Sequence, residues 1–154
     1  MRYADVSRTP AFCAETPMSH TLDSPYATEH PNQGRDPALR TFAMPADTNP
    51  NGDVFGGWVL AQMDLAGAIA AVRRARGRVA TVGIDAMSFH RPVLVGDEVS
   101  CYTQVLKVGR TSLRIQVDMW VRRYQTGEEW HVTEGVFTYV AIDSERKPRP
   151  VAAD

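Results

Sequence analysis

The sequence predicts an α+β fold in which a curved antiparallel sheet of about five strands wraps around one long central helix. Three observations predict it. The run from Trp58 to Val72 holds a single charged residue, Asp64, and is apolar nearly all the way round a helix, so it needs cover on every side. After Gly77 the hydrophobic period changes from helical to two. Leu113, Ile115, Val117, Met119 and Val121 then alternate with Arg114, Gln116, Asp118, Trp120 and Arg122, as in an antiparallel strand with one face on a core. A strongly twisted sheet of this kind can curl around a helix.

The elements follow in order. Leu39 to Met44 is a short strand ended by Pro45, and Ala46 to Gly52 is loop, rich in Asp, Asn, Pro and Gly. The helix runs from about Gly57 to Arg76. Arg73, Arg74 and Arg76 suit the negative end of its dipole, and Gly77 is the expected C-cap. Val79 to Phe89 reads as one strand, stopped by Arg91-Pro92. Val95-Gly96-Asp97 is a turn, and Asp97 to Val108 is a long strand with Val99, Cys101, Thr103 and Val105 on one face. Gly109-Arg110 makes a tight connection into the alternating strand. Gln125 to Glu128 turns the chain, Glu129 to Ile142 forms the last strand, and Pro148 and Pro150 close the domain.

A chain of 154 residues suits one domain. Residues 1–38 differ from the rest: they hold Pro10, Pro17, Pro25, Pro31 and Pro37, five of the ten prolines, and no sustained period. They read as a disordered or loosely docked tail ahead of a domain at 39–154. A net charge of -1 argues against a protein built to hold nucleic acid. No stretch reaches the roughly 18–20 apolar residues of a membrane helix, and no apolar region after Met1-Arg2 suggests secretion. Cys13 and Cys101 stand far apart without a C-x-x-C, which fits a reduced, cytoplasmic protein.

Chemistry centres on Asp64. An ionised carboxylate in an apolar helix is expensive without partners or a task. Two readings stand: it caps a neighbouring group or pairs with an arginine, or it is a poorly hydrated base or nucleophile. Just ahead lies Asn51-Gly52-Asp53-Val54-Phe55-Gly56-Gly57. Gly56-Gly57 would let the backbone approach a ligand, and free N–H groups at a helix start stabilise developing negative charge. Gly57 and Asp64 are seven residues apart and share a helix face, so the pair reads as a site for acyl chemistry. A helix this apolar leaves Asp64 little access to solvent. A cleft against a second subunit, favoured by edge strands, would supply it. Asp53 either orients the loop, contacts substrate or makes an N-cap-like bond. His90 ends a strand, and His20, His30, His90 and His131 lack metal-ligand spacing. Lys107 to Ser112, with Arg110 and Thr111, puts two cations and two hydroxyls around a turn that either receives phosphates or is a solvated hairpin; Arg91 either serves capping and solubility or binds phosphate. No Ser/His/Asp elbow, GxGxxG or GxxxxGK[ST] is found.

The stretch from Leu39 to Asp64 closely resembles the acyl-CoA thioesterases of the hotdog superfamily, in particular the YciA-like branch. Further matches are Gly77 to Val82, Phe89 to Val93, Val95 to Asp97, Leu106 to Ser112 and Val132 to Val140. The resemblance covers about residues 39–150. It implies a hotdog fold and obligate homodimers with the active site at the dimer interface, often assembled into hexamers as trimers of dimers. It implies hydrolysis of acyl-CoA to a free acid and CoA, with no metal and no cofactor. The family's helix carboxylate falls on Asp64, its glycine-pair backbone donor on Gly56-Gly57, and the polar residue before that pair on Asp53. Substrate contacts are expected at Asn51, Arg91, Lys107, Gly109, Arg110, Thr111 and Ser112. Two alternatives keep the fold: a non-catalytic acyl-CoA sensor, which would need a DNA-binding partner domain that residues 1–38 do not resemble, and an enoyl-CoA hydratase, which would need a histidine beside the carboxylate.

Overall fold

The alternation at Leu113 to Val121 becomes the middle of a curled sheet whose inner face buries these five side chains against the helix. The computed structural model describes residues 35–85 and 87–152. In chain order the elements are β1 (Leu39–Phe42), α1 (Gly56–Ala75), β2 (Val79–Ile84), β3 (Ser88–Phe89), β4 (Glu98–Val108), β5 (Ser112–Arg122) and β6 (Glu129–Ala141). The sheet runs β1-β4-β5-β6-β2, antiparallel throughout, with the short β3 also paired to β6. The expectation for residues 1–38 lies outside the described residues except at its end, where Ala38 N–H bonds Cys101 O at 2.9 Å and Ala38 packs against the core.

The helix lies close to the sheet because its buried positions are small. Ala66, Gly67, Ala71 and Ala75 line the contact, with Val59 and Met63 filling wider gaps. Opposite them sit Val99, Cys101, Ile115, Val117, Phe137 and Tyr139. The curl comes from extra residues in three strands. Register shifts fall at Thr81/Gly83, Val105/Lys107 and Met119/Trp120, so Val82, Leu106 and Val132 are each a bulge that bends its strand.

Three expectations are corrected. Val79 to Phe89 is not one strand: the chain leaves the ladder between Ile84 and Ser88, and Met87 folds over Gly135, where a β-carbon would come within 2.8 Å of its Cγ. The left-handed residue closing α1 is Arg76 (φ 49°), not Gly77. Arg76 N–H bonds Arg73 O and Gly77 N–H bonds Val72 O, the Schellman pattern one residue earlier. Gly77 is needed for a different reason: the Arg149 guanidinium lies against it and donates to Ala75 O at 2.9 Å, satisfying a helix-end carbonyl. Finally, the sheet does not cover the helix on all sides. Leu65 is 53% exposed and Val72 44%, and on the neighbouring edge strand Val82 is 60% exposed.

The segment between β3 and β4 is held by a buried ion pair. Asp97, 2% exposed, accepts from Leu94 N–H at 2.8 Å and from Arg123, whose other nitrogen donates to Pro92 O at 3.0 Å. This fixes the turn carrying Pro92 and Val93 beside the start of α1, where Val54 N–H bonds Val93 O.

Candidate active site

The helix entrance is open because its N-cap is a phenylalanine. Phe55 has no side-chain oxygen with which to cap, and its carbonyl takes the N–H groups of Trp58 (3.0 Å) and Val59 (3.2 Å). Among the described residues no acceptor meets Gly56 or Gly57 N–H. Nothing lies within 4 Å of where a Gly57 β-carbon would sit, so the backbone is open to approach on that side. The preceding loop is tied by its own bonds: Asn49 Oδ1 accepts from Asn51 N–H (2.9 Å) and Asp53 N–H (3.2 Å), and Asn49 N–H bonds Asp53 O at 2.7 Å. The Asp53 side chain is exposed and makes no N-cap bond, which removes one of the readings open for it.

Asp64 is half-buried and partnered on one side. Its Oδ1 accepts from Thr81 Oγ1 at 2.7 Å and from the Tyr139 hydroxyl at 3.2 Å; the same hydroxyl reaches Asp64 O at 3.0 Å. Among the described residues no group donates to Oδ2. Burial, and then the negative charge and hydrogen bond of Asp64, push the Tyr139 phenol well above its ordinary range, so it stays a donor. A β-carbon at Gly67 would overlap the Tyr139 hydroxyl, so this glycine makes room for the reach to Asp64. Thr81 lies on the edge strand β2, and Tyr139 pairs with it across the ladder. Thr81 and Tyr139 lie in the family-like stretches Gly77 to Val82 and Val132 to Val140, but neither hydroxyl is an expected site group.

A cleft of about 350 Å³ adjoins the helix entrance, walled by Gly56, Val59, Phe89, His90, Arg91 and Val132 among others. Arg91 projects over Trp130, with its guanidinium carbon 3.7 Å from the ring centroid. The structure thus brings Arg91 to Gly56. It does not bring the Lys107–Ser112 turn there within one chain. Gly109 N–H closes that turn on Ser112 O at 2.7 Å, while Ala141 N–H reaches Thr111 O and Val151 N–H reaches Arg110 O, which places the turn near the Arg149 end of α1. A 20-residue helix separates the two ends by about 30 Å. Gly57 and Asp64, although on one face, are seven residues apart, which is about 10 Å along the axis.

Comparison with known proteins places this geometry. A family model described as the thioesterase superfamily matches residues 51–126. The acyl-CoA thioester hydrolase YciA of Escherichia coli K12 is 47% identical over 131 residues, covering 83% of this chain and 99% of that protein. The crystal structure of a hexameric thioesterase from Yersinia pestis matches with a TM-score of 0.74 at 50% identity, over 77% of this chain and 97% of that one. A hexameric hotdog fold thioesterase of Campylobacter jejuni matches with a TM-score of 0.75 at 41% identity, over 78% of this chain and 92% of that one. A long helix inside a curled antiparallel sheet, with an uncapped glycine entrance, is therefore the hotdog architecture of the thioesterase superfamily. Within that class the chain belongs to the YciA-like acyl-CoA thioester hydrolases.

Proposed function

We infer that this chain hydrolyses acyl-CoA thioesters to a free carboxylic acid and CoA, with Asp64 as the group that acts on the thioester. One observation carries the residue assignment: Asp64 is oriented by two hydroxyls on Oδ1 while no described residue donates to Oδ2, on a helix face that the described residues leave exposed. The family relationship supplies the reaction class.

In the proposed reaction the thioester carbonyl accepts hydrogen bonds from Gly57 or Gly56 N–H at the helix start, where the dipole favours negative charge. Asp64 acts as general base or as nucleophile. As a base, Oδ2 takes a proton from water and the resulting hydroxide adds to the carbonyl carbon. The tetrahedral oxyanion rests on the glycine N–H groups, the C–S bond breaks, and the CoA thiolate leaves and gains a proton. No cofactor enters these steps. The CoA phosphates are assigned to Arg91, Lys107 and Arg110, with Asn51, Asp53, Gly109, Thr111 and Ser112 shaping the surrounding loops.

This reading is best met by two chains. A donor and a carboxylate about 10 Å apart on one helix are a long reach for one thioester carbonyl, since the donor must come within about 3 Å of its oxygen and the carboxylate within about 3 Å of its carbon or of the attacking water. Pairing of two copies across the exposed edge β2 and the Leu65/Val72 face would set Gly57 of one copy beside Asp64 of the other. It would also cover Val82 and bring the Lys107–Ser112 turn of one copy toward the entrance of another. The hexameric state of the Yersinia and Campylobacter relatives supports assembly of such dimers in threes. Activity is assigned to the domain at 39–154, in the cytoplasm; no helix among the described residues is long and apolar enough to cross a membrane. Asp64 Oδ1 meets Thr81 and Tyr139 and, among the described residues, no histidine bonds the carboxylate, which weighs against the hydratase alternative.

The test is thiol release across an acyl-CoA panel, wild type beside Asp64→Asn. Asp64→Asn is expected to lose about 100-fold or more in kcat while keeping its circular dichroism spectrum. Mass spectrometry of the products should show free acid and CoA, not a hydrated acyl-CoA. CoA release by Asp64→Asn at the wild-type rate would refute the assignment.

A further inference from the structure

We propose that His90, His131 and Glu134 form a binding site for a divalent transition-metal ion of the zinc type, on the sheet face opposite the helix and beside the cleft. His90 Nε2 lies 2.8 Å and His131 Nε2 3.4 Å from the same carboxylate oxygen, Glu134 Oε2, and the three ligand atoms are all within 4.8 Å of one another. Tetrahedral ligands with bonds of about 2.0–2.1 Å stand roughly 3.3 Å apart, so modest side-chain rotations would seat an ion between them.

The backbone builds this arrangement. On a regular strand, residues three apart point to opposite faces. The bulge at Val132 inserts one residue between His131 and Glu134, so the two face the same way, opposite Trp120 and Asp118 respectively. The bulged carbonyl, Val132 O, accepts from His90 N–H at 2.8 Å, and Ser88 pairs with Glu134, which draws the third residue in from β3. All three ligand positions are therefore anchored in backbone hydrogen bonding, and only side chains need adjust. The site is shielded without being closed: the side chains of His90, His131 and Glu134 are 32%, 22% and 15% exposed.

Two imidazoles and a carboxylate suit Zn²⁺, Co²⁺ or Ni²⁺ and not the all-oxygen preference of Ca²⁺ or Mg²⁺. Asp118 Oδ1, 3.9 Å from His131 Nε2 and accepting from Gln116 Nε2 at 3.1 Å, adds negative charge beside the three ligand atoms. A bound ion would clamp the Phe89–Arg91 wall of the cleft to β6. The thioester chemistry proposed above does not depend on it, so the two readings stand or fall separately.

The experiment titrates the full chain, stripped with chelator, with Co²⁺ followed by visible absorption and with Zn²⁺ followed by calorimetry at neutral pH. One equivalent per chain is expected, with the visible bands of low-coordinate Co²⁺. His131→Ala and Glu134→Gln should each bind at least about tenfold more weakly, the loss that removing even an outer-shell partner causes. His90→Asn, at the most exposed position, gives a third variant with the least risk to folding, and circular dichroism checks all three. A triple variant of the tail, Cys13→Ser with His20→Asn and His30→Asn, should bind as wild type does. Absence of stoichiometric uptake by the wild type, retention of its affinity by the site variants, or loss of binding in the tail variant would overturn the proposal.

Discussion

Two hydroxyl groups decide which oxygen of Asp64 is available. Thr81 and Tyr139 hold Oδ1 and leave Oδ2 to whatever enters. A hydrogen bond to a charged group contributes about 1.5–3 kcal/mol. Thr81→Val keeps the shape and removes the shorter of the two bonds, so kcat for thiol release should fall about tenfold with KM changed little. An unaltered kcat would show that Thr81 does not orient the carboxylate. Asp64 itself was legible in the sequence as one charge in an apolar run. Its partners were not, because they lie 17 and 75 residues away and meet it only when the sheet curls over the helix. Phe55 shows the opposite case: the glycine pair was visible, but that the entrance stays open depends on a residue with no hydrogen-bonding atom at the N-cap, to which the sequence reading gave no catalytic role.

Strand periodicity carried the elements well where the ladder is regular, as in β5, and poorly where a residue is inserted. The break between β2 and β3 is marked only by Asp85, a residue depleted in strands, and the bulge at Val132 has no compositional signature, since Val132 is an ordinary strand residue. The histidine cluster was hidden for the same reason: its spacing becomes meaningful only after the bulge turns His131 to the face of Glu134. The β3–β4 segment shows how one buried pair holds an irregular element. Asp97 and Arg123 tie the backbone at Leu94 and Pro92 and so fix the cleft wall. Asp97→Ala leaves the arginine without its partner, and a loss of about 3 kcal/mol in denaturant unfolding is expected. A loss below about 1 kcal/mol would mean that the pair adds little beyond a surface contact.

At the level of the whole molecule the fold predicted from the sequence, a curved sheet around one helix, is the fold observed. Among the described residues the helix nevertheless keeps an uncovered apolar face next to an unpaired edge, with Leu65, Val72 and Val82 exposed. A second subunit is expected from the access that Asp64 needs, and the pairing proposed above would cover this face. The separation of about 10 Å between Gly57 and Asp64 along α1 has a genetic meaning. If each copy donates its helix entrance to one site and its carboxylate to the other, two dead alleles can rescue each other. Gly57→Pro deletes the N–H within the first helical turn, where proline is tolerated, and Asp64→Asn deletes the carboxylate. Neither chain should work alone. Refolded together from denaturant, half of the pairs are mixed and each mixed pair regains one site of two, so about a quarter of the wild-type activity should return.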